Sequence, residues 1–250
     1  MMVITVGNRK GGTGKTTTVV NIGRALSMKG KNVLLIDLDP QANLSYSYGI
    51  STEGCMLGEV LIEKEVDSGS IFYKDGLDLI PSDTDLQAYE TDLVKAEAPI
   101  TTLRDAIANI RDSYDYILID CPPAASFLTM NALMACDGVL IPMMMDNLSF
   151  VGFQQMVDVV FEVKEKYHPE LWIIGVLGVI VDERRHLTNE ILEALQNNYG
   201  IDVFNNYIRQ NVRAAEAPAY GQSVLDYAPK SNSARDYMSV TEELLKVLND

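Results

Sequence analysis

The stretch RKGGTGKTTT, residues 9–18, decides the fold of this chain. It directly follows the apolar run at residues 3–7 and precedes a segment with the periodicity of an amphipathic helix. Its glycines allow consecutive backbone N–H groups to turn inward around an oxyanion without Cβ clashes. A helix that begins at Thr16 would direct the positive end of its dipole at the same anion. The stretch therefore predicts a phosphate-binding turn between a strand and a helix.

The GKTT core of this stretch has the composition of a P-loop. Lys15 would reach the β- and γ-phosphates of a nucleotide, and the Thr16 hydroxyl would bind Mg²⁺. The strict pattern G-x-x-x-x-G-K-[ST] fails, because Arg9 stands where the first glycine is required. A flexible glycine-rich turn is the alternative, but the strand-to-helix context favours a nucleotide site. The predicted nucleotide-binding turn comprises Gly11, Gly12, Thr13, Gly14, Lys15, Thr16 and Thr17.

Two further apolar runs end in carboxylates. VLLIDLDPQAN carries Asp37 and Asp39, and YILIDCPP carries Asp120. The carboxyl ends of parallel strands share one edge of the sheet, and ligands bind there. A lone aspartate at a strand end is more often a turn former, but three of them beside a P-loop favour a magnesium site. We expect Thr16, Asp37 and Asp120 around the metal and Asp39 beside the attacking water. A dinucleotide site is the weaker alternative, since the sequence has no G-x-G-x-x-G.

The composition bounds the broad class of protein. With 250 residues, 47% of them hydrophobic, the chain can bury a full core, and we predict a single P-loop domain over residues 1–250. No run reaches the roughly 18 apolar residues of a spanning helix, and no signal-peptide pattern is present, so we expect a cytoplasmic protein. Three cysteines and two histidines lack the spacing of metal ligands. The net charge of −15 restricts any nucleic-acid contact to a local basic patch.

Apolar runs alternate with segments of helical period along the chain. This order predicts an α/β fold of the P-loop NTPase type, a mostly parallel twisted sheet with helices on both faces. The predicted strands are residues 3–7, 33–37, 77–80, 116–120, 138–142, 173–181 and 203–208. The predicted helices are residues 16–29, 103–112, 127–135, 150–167, 188–198 and 234–248. The Gly-rich, acidic segment at residues 51–83 is interpreted as a variable connection around its one strand.

Four stretches together resemble a known family. They are KGGTGKTT with Lys10, DLDPQAN, DCPP and the late segment NVRAAEAPAYGQSVLDYAPKSNSARDY. The chain resembles the ParA branch of the ParA/MinD group of deviant Walker A P-loop ATPases over about residues 2–245. The resemblance implies an ATPase that uses ATP and Mg²⁺ in plasmid or chromosome segregation or in cargo positioning. It further implies an ATP-bound homodimer that sandwiches two nucleotides and binds double-stranded DNA without sequence preference. A ParB-like or other cargo-bound protein would stimulate hydrolysis and release this nucleoid-associated dimer.

The resemblance also implies roles for individual residues. Lys10 matches the signature lysine that reaches the partner's nucleotide, and Lys15 matches the P-loop lysine. Asp39 matches the catalytic residue of switch I, and Asp120 matches the aspartate of switch II. Asn211 matches the position that contacts adenine. A lysine supplied across a dimer would place positive charge where negative charge develops during phosphoryl transfer, as arginine fingers do. Lys10, Lys15 and Asp39 are therefore the predicted catalytic residues.

The chain departs from the family pattern at Thr13, where the family usually has valine, and at two further places. Arg9 stands where the family often has glutamine, which adds a cation near the phosphates or the dimer seam. IRQNVR, at residues 208–213, replaces the usual I-P-R-N-V-R where the family's DNA contacts cluster. Ordinary surface salt bridges are the alternative role for each basic residue there and nearby. The predicted DNA-binding residues are Arg184, Arg185, Arg209, Arg213, Lys230 and Arg235.

Two other classes of P-loop protein remain open. A membrane-positioning ATPase of the MinD type would need a basic amphipathic C-terminal helix, but the polar face here is mainly acidic, so we expect no membrane contact. Its apolar stripe favours core packing. A relative of the nitrogenase iron protein would need a pair of ligand cysteines in each protomer, and the surroundings of Cys121 and Cys136 do not suggest one. The stripe comprises Met238, Leu244, Leu245 and Leu248.

Overall fold

The computed structural model describes residues 1–50, 56–181, 195 and 199–248. Its strands are β1 (Met2–Val6), β2 (Val33–Asp37), β3 (Phe72–Lys74), β4 (Leu77–Ile80), β5 (Tyr116–Asp120), β6 (Gly138–Met144) and β7 (Trp172–Val179). They form one sheet in the order β3-β4-β2-β5-β1-β6-β7. Neighbouring strands run parallel except β3, which pairs antiparallel with β4 at one edge. The mostly parallel sheet is confirmed.

Helices connect the strands and cover the sheet. They are α1 (Lys15–Met28), α2 (Asn43–Ser47), α3 (Met56–Glu63), α4 (Leu86–Lys95), α5 (Thr102–Ala106), α6 (Phe127–Ala135), α7 (Asn147–Lys166), α8 (Val212–Glu216), α9 (Val224–Tyr227) and α10 (Asn232–Val247). Short 3-10 turns lie at Ser68–Ser70, Arg111–Ser113 and Ala217–Tyr220. The predicted strands at 33–37, 77–80 and 116–120 and the predicted helix at 127–135 have the observed bounds.

The central strands are buried on both faces. Every residue of β2 and β5 is buried, which explains why their sequences are continuous apolar runs rather than alternating ones. Leu34 and Ile36 enter one core with residues of α3 to α7, whereas Val33 and Leu35 enter a second core with residues of α1, α2, α9 and α10. Successive side chains of a strand point to opposite faces. The sheet is therefore the middle layer of an α/β sandwich.

The C-terminal helix α10 uses its apolar stripe inside the protein. Leu244 is fully buried in the core that contains α1, and Met238, Leu245 and Leu248 pack against that core. The interpretation of this stripe as core packing is confirmed. Within the described part of the chain, no helix combines the length and the apolar character needed to cross a membrane.

The predicted helix at residues 103–112 is wrong in its extent. Helix α5 ends at Ala106, and the chain then turns into the 3-10 segment Arg111–Ser113. Beyond the end of α5, the side-chain amide of Asn109 donates to the Val66 carbonyl at 2.9 Å. Asparagine competes well for local backbone partners, which shortens helices.

The predicted strand at residues 203–208 is also wrong. This segment, which the structure describes in full, has an isolated parallel bridge at Val203, a second bridge follows it at Arg209, and no continuous ladder joins them. The backbone N–H groups of Asn205 and Asn206 donate instead to the Glu243 carboxylate of α10, at 2.7 and 2.8 Å. A charged acceptor on a helix therefore replaces the strand partner.

The interpretation of residues 51–83 as a variable connection is wrong for its described part, residues 56–83. That part contains α3, β3 and β4. Leu57, Val60 and Leu61 bury one face of α3, so its apolar periodicity outweighs the surrounding glycines and acids. The predicted helix at 188–198 lies, apart from Leu195, outside the described residues.

An ion pair fastens α1 to the short helix α9. The Arg24 guanidinium donates to both Asp226 carboxylate oxygens at 2.8 to 3.1 Å, and the Ser223 hydroxyl donates to the same carboxylate at 2.6 Å. Burial alone raises the pKa of Asp226, but these hydrogen bonds outweigh it and hold the pKa below its ordinary value. The carboxylate therefore stabilises the fold when it is ionised.

We expect Asp226→Asn to lower the free energy of unfolding by about 1–3 kcal/mol near neutral pH, because Arg24 loses its counter-charge. The contribution of Asp226 is present above its unfolded-state pKa of about 4 and is lost as the pH falls through the lower folded-state pKa. Urea unfolding should thus show a difference between wild type and variant that shrinks as the pH is lowered toward about 3.

Asp92→Asn is the matched control for this change. Asp92 pairs with Lys95 at 3.5 Å, and both side chains are more than two-thirds exposed. Its loss should change the free energy of unfolding by less than about 0.5 kcal/mol. Equal losses for the two variants would contradict a stabilising role of the Arg24 pair.

Candidate nucleotide site

The loop between β1 and α1 has the conformation that its glycines permit. Gly12 and Gly14 have φ angles of 74° and 72°, in the left-handed region where other residues are strained. A Cβ on Gly11 or Gly12 would meet nothing within 4 Å, so the loop is open on that side. Gly14 is the N-cap of α1 and offers no side-chain cap. The N–H groups of the first helical turn are therefore available to an anion.

Two residues that sequence reasoning missed hold this loop against α7. Asn8 is 1% exposed, its side-chain amide donates to the Pro142 carbonyl at 2.9 Å, and its Oδ1 accepts from the Lys10 N–H at 2.9 Å. A Cβ on Gly152 of α7 would lie 2.7 Å from Lys10 Cβ and 2.9 Å from Asn8 Oδ1. Gly152 therefore permits the close approach of α7. No sequence signal marks either residue, because the contact depends on helix packing.

Lys15 is a buried cation inside the loop. Lys15 is 7% exposed, and its Nζ donates to the Lys10 carbonyl at 3.1 Å. Burial lowers the pKa of Lys15, while the Asp120 and Asp39 carboxylates oppose that shift. The remaining Nζ donors have no acceptor among the described residues. The ammonium is thus positioned to bind an anion that enters the loop.

Thr16 and Asp120 meet at the carboxyl edge of the sheet. The Thr16 hydroxyl donates to Asp120 Oδ2 at 2.6 Å, while the buried Asp120 Oδ1 has no hydrogen-bond partner. Residues Asp37 and Asp120 are register partners on β2 and β5. Burial first and the Asp37 charge second raise the pKa of Asp120 well above its ordinary value. A buried carboxylate oxygen without a partner is costly, and a cation would satisfy it.

The Thr16 hydroxyl and the Asp120 carboxylate fit a Mg²⁺ ion whose other ligands are phosphate oxygens and water. No cluster of three or more His, Cys, Asp or Glu side chains suited to a metal occurs in the described ranges. Magnesium usually keeps several waters and takes one or two protein ligands together with substrate phosphates. Thr16 and Asp120 could supply such a partial shell, and their two side chains are too few for an all-protein metal cage.

Asp37 and Asp39 are brought to the same edge but are already engaged. The Asp37 Oδ2 accepts from the backbone N–H and the hydroxyl of Ser45 at 2.8 and 2.7 Å, and its Oδ1 accepts from the Asp39 N–H at 3.3 Å. Asp39 Oδ1 accepts from the Gln41 N–H at 2.9 Å. Asp37 thereby holds α2 to the end of β2, and its place in the magnesium shell stays a prediction. Ser45 was missed because it lies eight residues away, on a helix not anticipated from the sequence.

Lys10 lies against the N-terminus of α7. Its Nζ donates to the Ser149 hydroxyl at 3.0 Å and lies 3.5 Å from Asp146 Oδ1. Asp146 is the N-cap of α7, and its side chain accepts from the Ser149 N–H at 2.6 Å. The Lys10 side chain remains 30% exposed. The ammonium is therefore held in its own chain by contacts that a stronger anion could replace.

A mainly apolar cavity of about 360 Å³ opens beside the loop. Gly14 and Thr17 form one wall, Val179 and Ile180 after β7 form a second, and Asn211 lies among the residues that close it. Asn211 Oδ1 accepts from the Arg213 N–H at 2.9 Å, which leaves its amide donors for a ligand. A flat heterocycle attached to phosphates in the loop would enter this cavity, as the prediction for Asn211 requires.

Comparison with known proteins identifies the family. A family model described as "AAA domain" matches residues 1–173. The sporulation initiation inhibitor protein Soj of Bacillus subtilis is 35% identical over 246 residues, which cover 97% of each chain. The chromosome partitioning protein ParA of Caulobacter vibrioides is 36% identical over 251 residues, 98% of this chain and 94% of the relative. The chain belongs to the ParA family of partitioning ATPases.

A solved structure of similar fold carries a different name. Cobyrinic acid a,c-diamide synthase from Mycobacterium smegmatis, with a bound ATP analogue and magnesium, superposes with a TM-score of 0.86 at 29% sequence identity. The match covers 100% of this chain and 96% of that chain. The predicted P-loop NTPase fold is thereby confirmed for this ParA-family protein.

Two of the predicted DNA-binding arginines of this ParA-family chain, Arg209 and Arg213, are paired within the protein. The Arg209 guanidinium donates to Asp236 at 2.5 and 3.0 Å, and Asp236 is only 9% exposed at its side chain. Arg213 donates to Glu216 at 2.8 Å, and its side chain is 54% exposed. Arg209 is therefore bound to a buried carboxylate, whereas Arg213 makes a surface pair.

A shallow groove of about 510 Å³ brings two of the predicted residues together. Arg213 and Lys230 line it with Asn211, so the groove and the apolar cavity beside the loop share one residue. Arg235 of α10, five residues after Lys230, donates to the Lys230 carbonyl at 2.8 Å. Arg184 and Arg185 lie outside the described residues.

The two described cysteines are unsuited to reactive or cluster chemistry. Cys121 and Cys136 are both fully buried, and burial raises the pKa of each thiol to about 12. A thiolate is the nucleophilic and metal-binding form of cysteine. Neither thiol is therefore positioned as a nucleophile or as a surface ligand shared between protomers.

We expect Asp120→Asn to separate stability from ligand binding in this ParA-family protein. Asparagine can still accept from Thr16, but it removes one of two adjacent buried carboxylates, so the free energy of unfolding without ligand should stay equal or rise. Binding of Mg²⁺-nucleotide should fall by at least about tenfold, because a hydrogen bond or metal contact to a charged group is lost. Urea unfolding and titration calorimetry measure the two effects.

Asp78→Asn provides the comparison, since Asp78 accepts from the Tyr114 hydroxyl at 2.7 Å on β4, away from the loop. It should leave nucleotide affinity unchanged. A large loss of stability in Asp120→Asn without ligand would show that the Thr16 contact, rather than metal binding, explains the burial of Asp120.

Proposed function

We propose that this protein is a Mg²⁺-dependent ATPase that alternates between a monomer and an ATP-bound sandwich dimer during partitioning of DNA or another cargo. The observation that carries the proposal is the convergence of Lys15, Thr16 and Asp120 at the glycine loop. A buried ammonium, a hydroxyl and an unpartnered carboxylate oxygen are the groups that Mg²⁺ and the β- and γ-phosphates require. The ATP analogue and magnesium in the similar M. smegmatis structure support the same ligands here.

Hydrolysis of ATP would use residues that already face the loop. Water attacks the terminal phosphorus, the bond to the bridging oxygen breaks, and ADP leaves with the electron pair. Lys15 and the N–H groups of the first turn of α1 stabilise charge on the phosphate oxygens. Asp39 is 8% exposed, and its charge raises the pKa of Lys15, which places it close to the loop. It would orient the attacking water. Thr16 and Asp120 would hold Mg²⁺, which would supply positive charge against the phosphates, and Asp37 would support its shell from the adjoining strand end.

The base would occupy the cavity beside the loop. Its walls at Val179 and Ile180 are apolar, and the free amide donors of Asn211 match the acceptor nitrogens of an adenine ring. Gly14 and Thr17 place the phosphate cradle directly at the mouth of this cavity. One nucleotide can therefore bridge the two sites.

Dimerisation would give Lys10 its catalytic position. In the single chain Lys10 pairs with Ser149 and Asp146 at a partly exposed site, and such pairs contribute about 0–1 kcal/mol. The terminal phosphate of a partner's nucleotide offers more negative charge and better acceptors. We propose that Lys10 leaves α7 when two ATP-bound protomers meet, so that hydrolysis depends on the dimer.

DNA contact would lie beside the base cavity. Arg213 and Lys230 face one groove, whereas Arg209 is held by Asp236 and is less available. With a net charge of −15 the chain needs its few basic groups gathered on one face, and a dimer doubles them. A cargo-bound partner of the ParB kind would then stimulate hydrolysis and release the cytoplasmic protein from the nucleoid. The chromosome-partitioning role of the Caulobacter vibrioides relative supports this choice of target.

Other targets are less well supported. A membrane-positioning switch of the MinD type would need a free amphipathic C-terminal helix, but α10 buries its apolar stripe in the core. Amide synthesis, suggested by the name of the M. smegmatis structure, would need an activated nitrogen donor. The buried thiols of Cys121 and Cys136 do not provide a nucleophile to release ammonia. An ATPase switch with a target other than DNA is the remaining alternative.

Lys15→Ala and Lys10→Ala should affect different steps. We expect Lys15→Ala to weaken ATP binding by at least about tenfold, since a charged contact to phosphate is lost. Lys10→Ala should keep ATP affinity within about twofold, yet lose ATP-dependent dimerisation and reduce turnover by at least about tenfold. Calorimetry, sedimentation and phosphate release measure the three quantities.

Lys166→Ala is the control for these lysine variants, because Lys166 lies on α7 and pairs with Glu162 at the surface. It should behave as wild type in all three assays. Wild-type turnover by Lys10→Ala would exclude the role of Lys10 across the dimer.

Binding of random duplex DNA tests the proposed target. Asp39→Ala should trap the ATP-bound dimer, and this variant should bind DNA with ATP and Mg²⁺ but not with ADP. The affinity should fall steeply with salt, and Arg213→Ala or Lys230→Ala in the same background should reduce the salt slope by about one.

Arg104→Ala is the matched control, since Arg104 is an exposed arginine of α5 paired with Asp105. It should leave the salt slope unchanged. ATP-driven dimers that do not bind DNA at low salt would keep the ATPase switch and exclude DNA as its target.

A further inference from the structure

Arg9 differs from every other described arginine. Its Nε is buried without a hydrogen-bond partner, and among the residues that the structure describes none forms a hydrogen bond or ion pair with its side chain. Buried polar groups in proteins are nearly always satisfied, so an exception points to a partner outside the chain. The other described arginines each have an acceptor, namely Asp226 for Arg24, Asp105 for Arg104, Asp137 for Arg111, Asp236 for Arg209, Glu216 for Arg213 and the Lys230 carbonyl for Arg235.

The position of Arg9 adds to this contrast. Its neighbours Asn8 and Lys10 are both fixed, Asn8 to the Pro142 carbonyl and Lys10 to Ser149 on α7. The backbone on either side of Arg9 is therefore held, while its guanidinium is not. Residues 9–18 contain three cations and no acidic residue in a chain with 35 acidic residues. This loop is thus a locally electropositive element on an acidic protein.

Phosphate is the ligand that this guanidinium fits. A guanidinium presents a planar fork of donors that binds two phosphate oxygens at once. The N–H groups of a P-loop cradle the α- and β-phosphates, and its lysine spans the β- and γ-phosphates. Oxygens of the terminal phosphate are the ones left for a further cation. Arg9 precedes the cradle on the side of Lys10, the other cation assigned to that phosphate.

We propose that Arg9 binds the terminal phosphate of a nucleoside triphosphate and so makes the site favour ATP over ADP. The inference rests on the proposed ATPase function and assigns that site a second cation for the terminal phosphate, in addition to Lys10. The phosphate belongs either to the nucleotide in the same protomer or to that of the partner in the dimer, and the chemistry is the same for both.

The test compares triphosphate with diphosphate binding. Wild type, Arg9→Gln and Arg9→Lys are titrated by calorimetry with the non-hydrolysable analogue AMPPNP and with ADP, each with Mg²⁺. Arg9→Gln should bind AMPPNP about tenfold more weakly and ADP within about twofold of wild type. Arg9→Lys should be intermediate, because it keeps the charge and loses the fork. Arg104→Gln should match wild type, since it removes the same charge from the exposed pair with Asp105.

The protein concentration distinguishes the two sources of phosphate. If Arg9 binds the phosphate of its own protomer, the loss for AMPPNP appears in dilute, monomeric protein. If it binds the partner's phosphate, dilute Arg9→Gln has normal affinity, and the tenfold loss appears in AMPPNP-driven dimerisation measured by sedimentation. Either pattern supports the assignment.

Two results would overturn it. One is an Arg9→Gln variant with wild-type AMPPNP affinity and wild-type dimerisation. The other is an equal loss for AMPPNP and ADP, accompanied by a lower melting temperature of the nucleotide-free protein, which would indicate a structural role. Failure of the wild type itself to bind either nucleotide would overturn the ATPase proposal and this inference together. Normal wild-type binding with an unaffected Arg9→Gln removes the inference alone.

Discussion

The buried carboxylates at the ends of β2 and β5 are the constraint on which the rest of the site depends. Parallel pairing puts Asp37 directly beside Asp120, away from water. Desolvation raises the pKa of both groups, and a neighbouring carboxylate adds to the shift, Asp39 for Asp37 and chiefly Asp37 for Asp120. The chain offsets part of this cost with Ser45 at Asp37 and with Thr16 at Asp120. One oxygen of Asp120 is left without a hydrogen-bond partner, which is where the proposed cation would satisfy it.

The distribution of the basic residues follows from the same acidic background. In a chain with 35 acidic and 20 basic residues, many of the described lysines and arginines pair with a carboxylate of the same chain. Pairs at exposed positions, such as Arg213 with Glu216, contribute little free energy and can exchange for phosphate. The pair of Arg209 with the buried Asp236 is different, because breaking it leaves an uncompensated buried charge. The protein thus has a few exchangeable cations rather than a permanently basic surface.

Sequence patterns predicted the parts of this structure that depend on local chemistry. Strand cores such as VLLID and YILID, and the glycine loop before α1, are specified by runs of residues that have one stable arrangement in a parallel sheet. The missed features depend on contacts between distant segments. Glu243 on α10 takes the N–H groups of residues 205 and 206 out of a strand, and Gly152 on α7 lets that helix touch the loop. Neither partner is visible from its own neighbourhood in the sequence.

The sharing of Asn211 between the base cavity and the basic groove raises the question of how the nucleotide could control the groove. Asn211 caps α8 by accepting from the Arg213 N–H. A base that contacts the Asn211 amide is therefore connected through this one side chain to Arg213 in the groove. A ligand shifts an equilibrium only by its differential affinity for the two states. ATP and ADP carry the same base, and contact at Asn211 therefore cannot report hydrolysis. The difference between the two nucleotides lies at the terminal phosphate, to which Lys15, Lys10 and Arg9 are the cations we assign. Under the proposed function, a nucleotide-dependent change in the groove would consequently arise from the phosphate end, through release of Lys10 from α7 and assembly of the dimer. The base would anchor the nucleotide in both states.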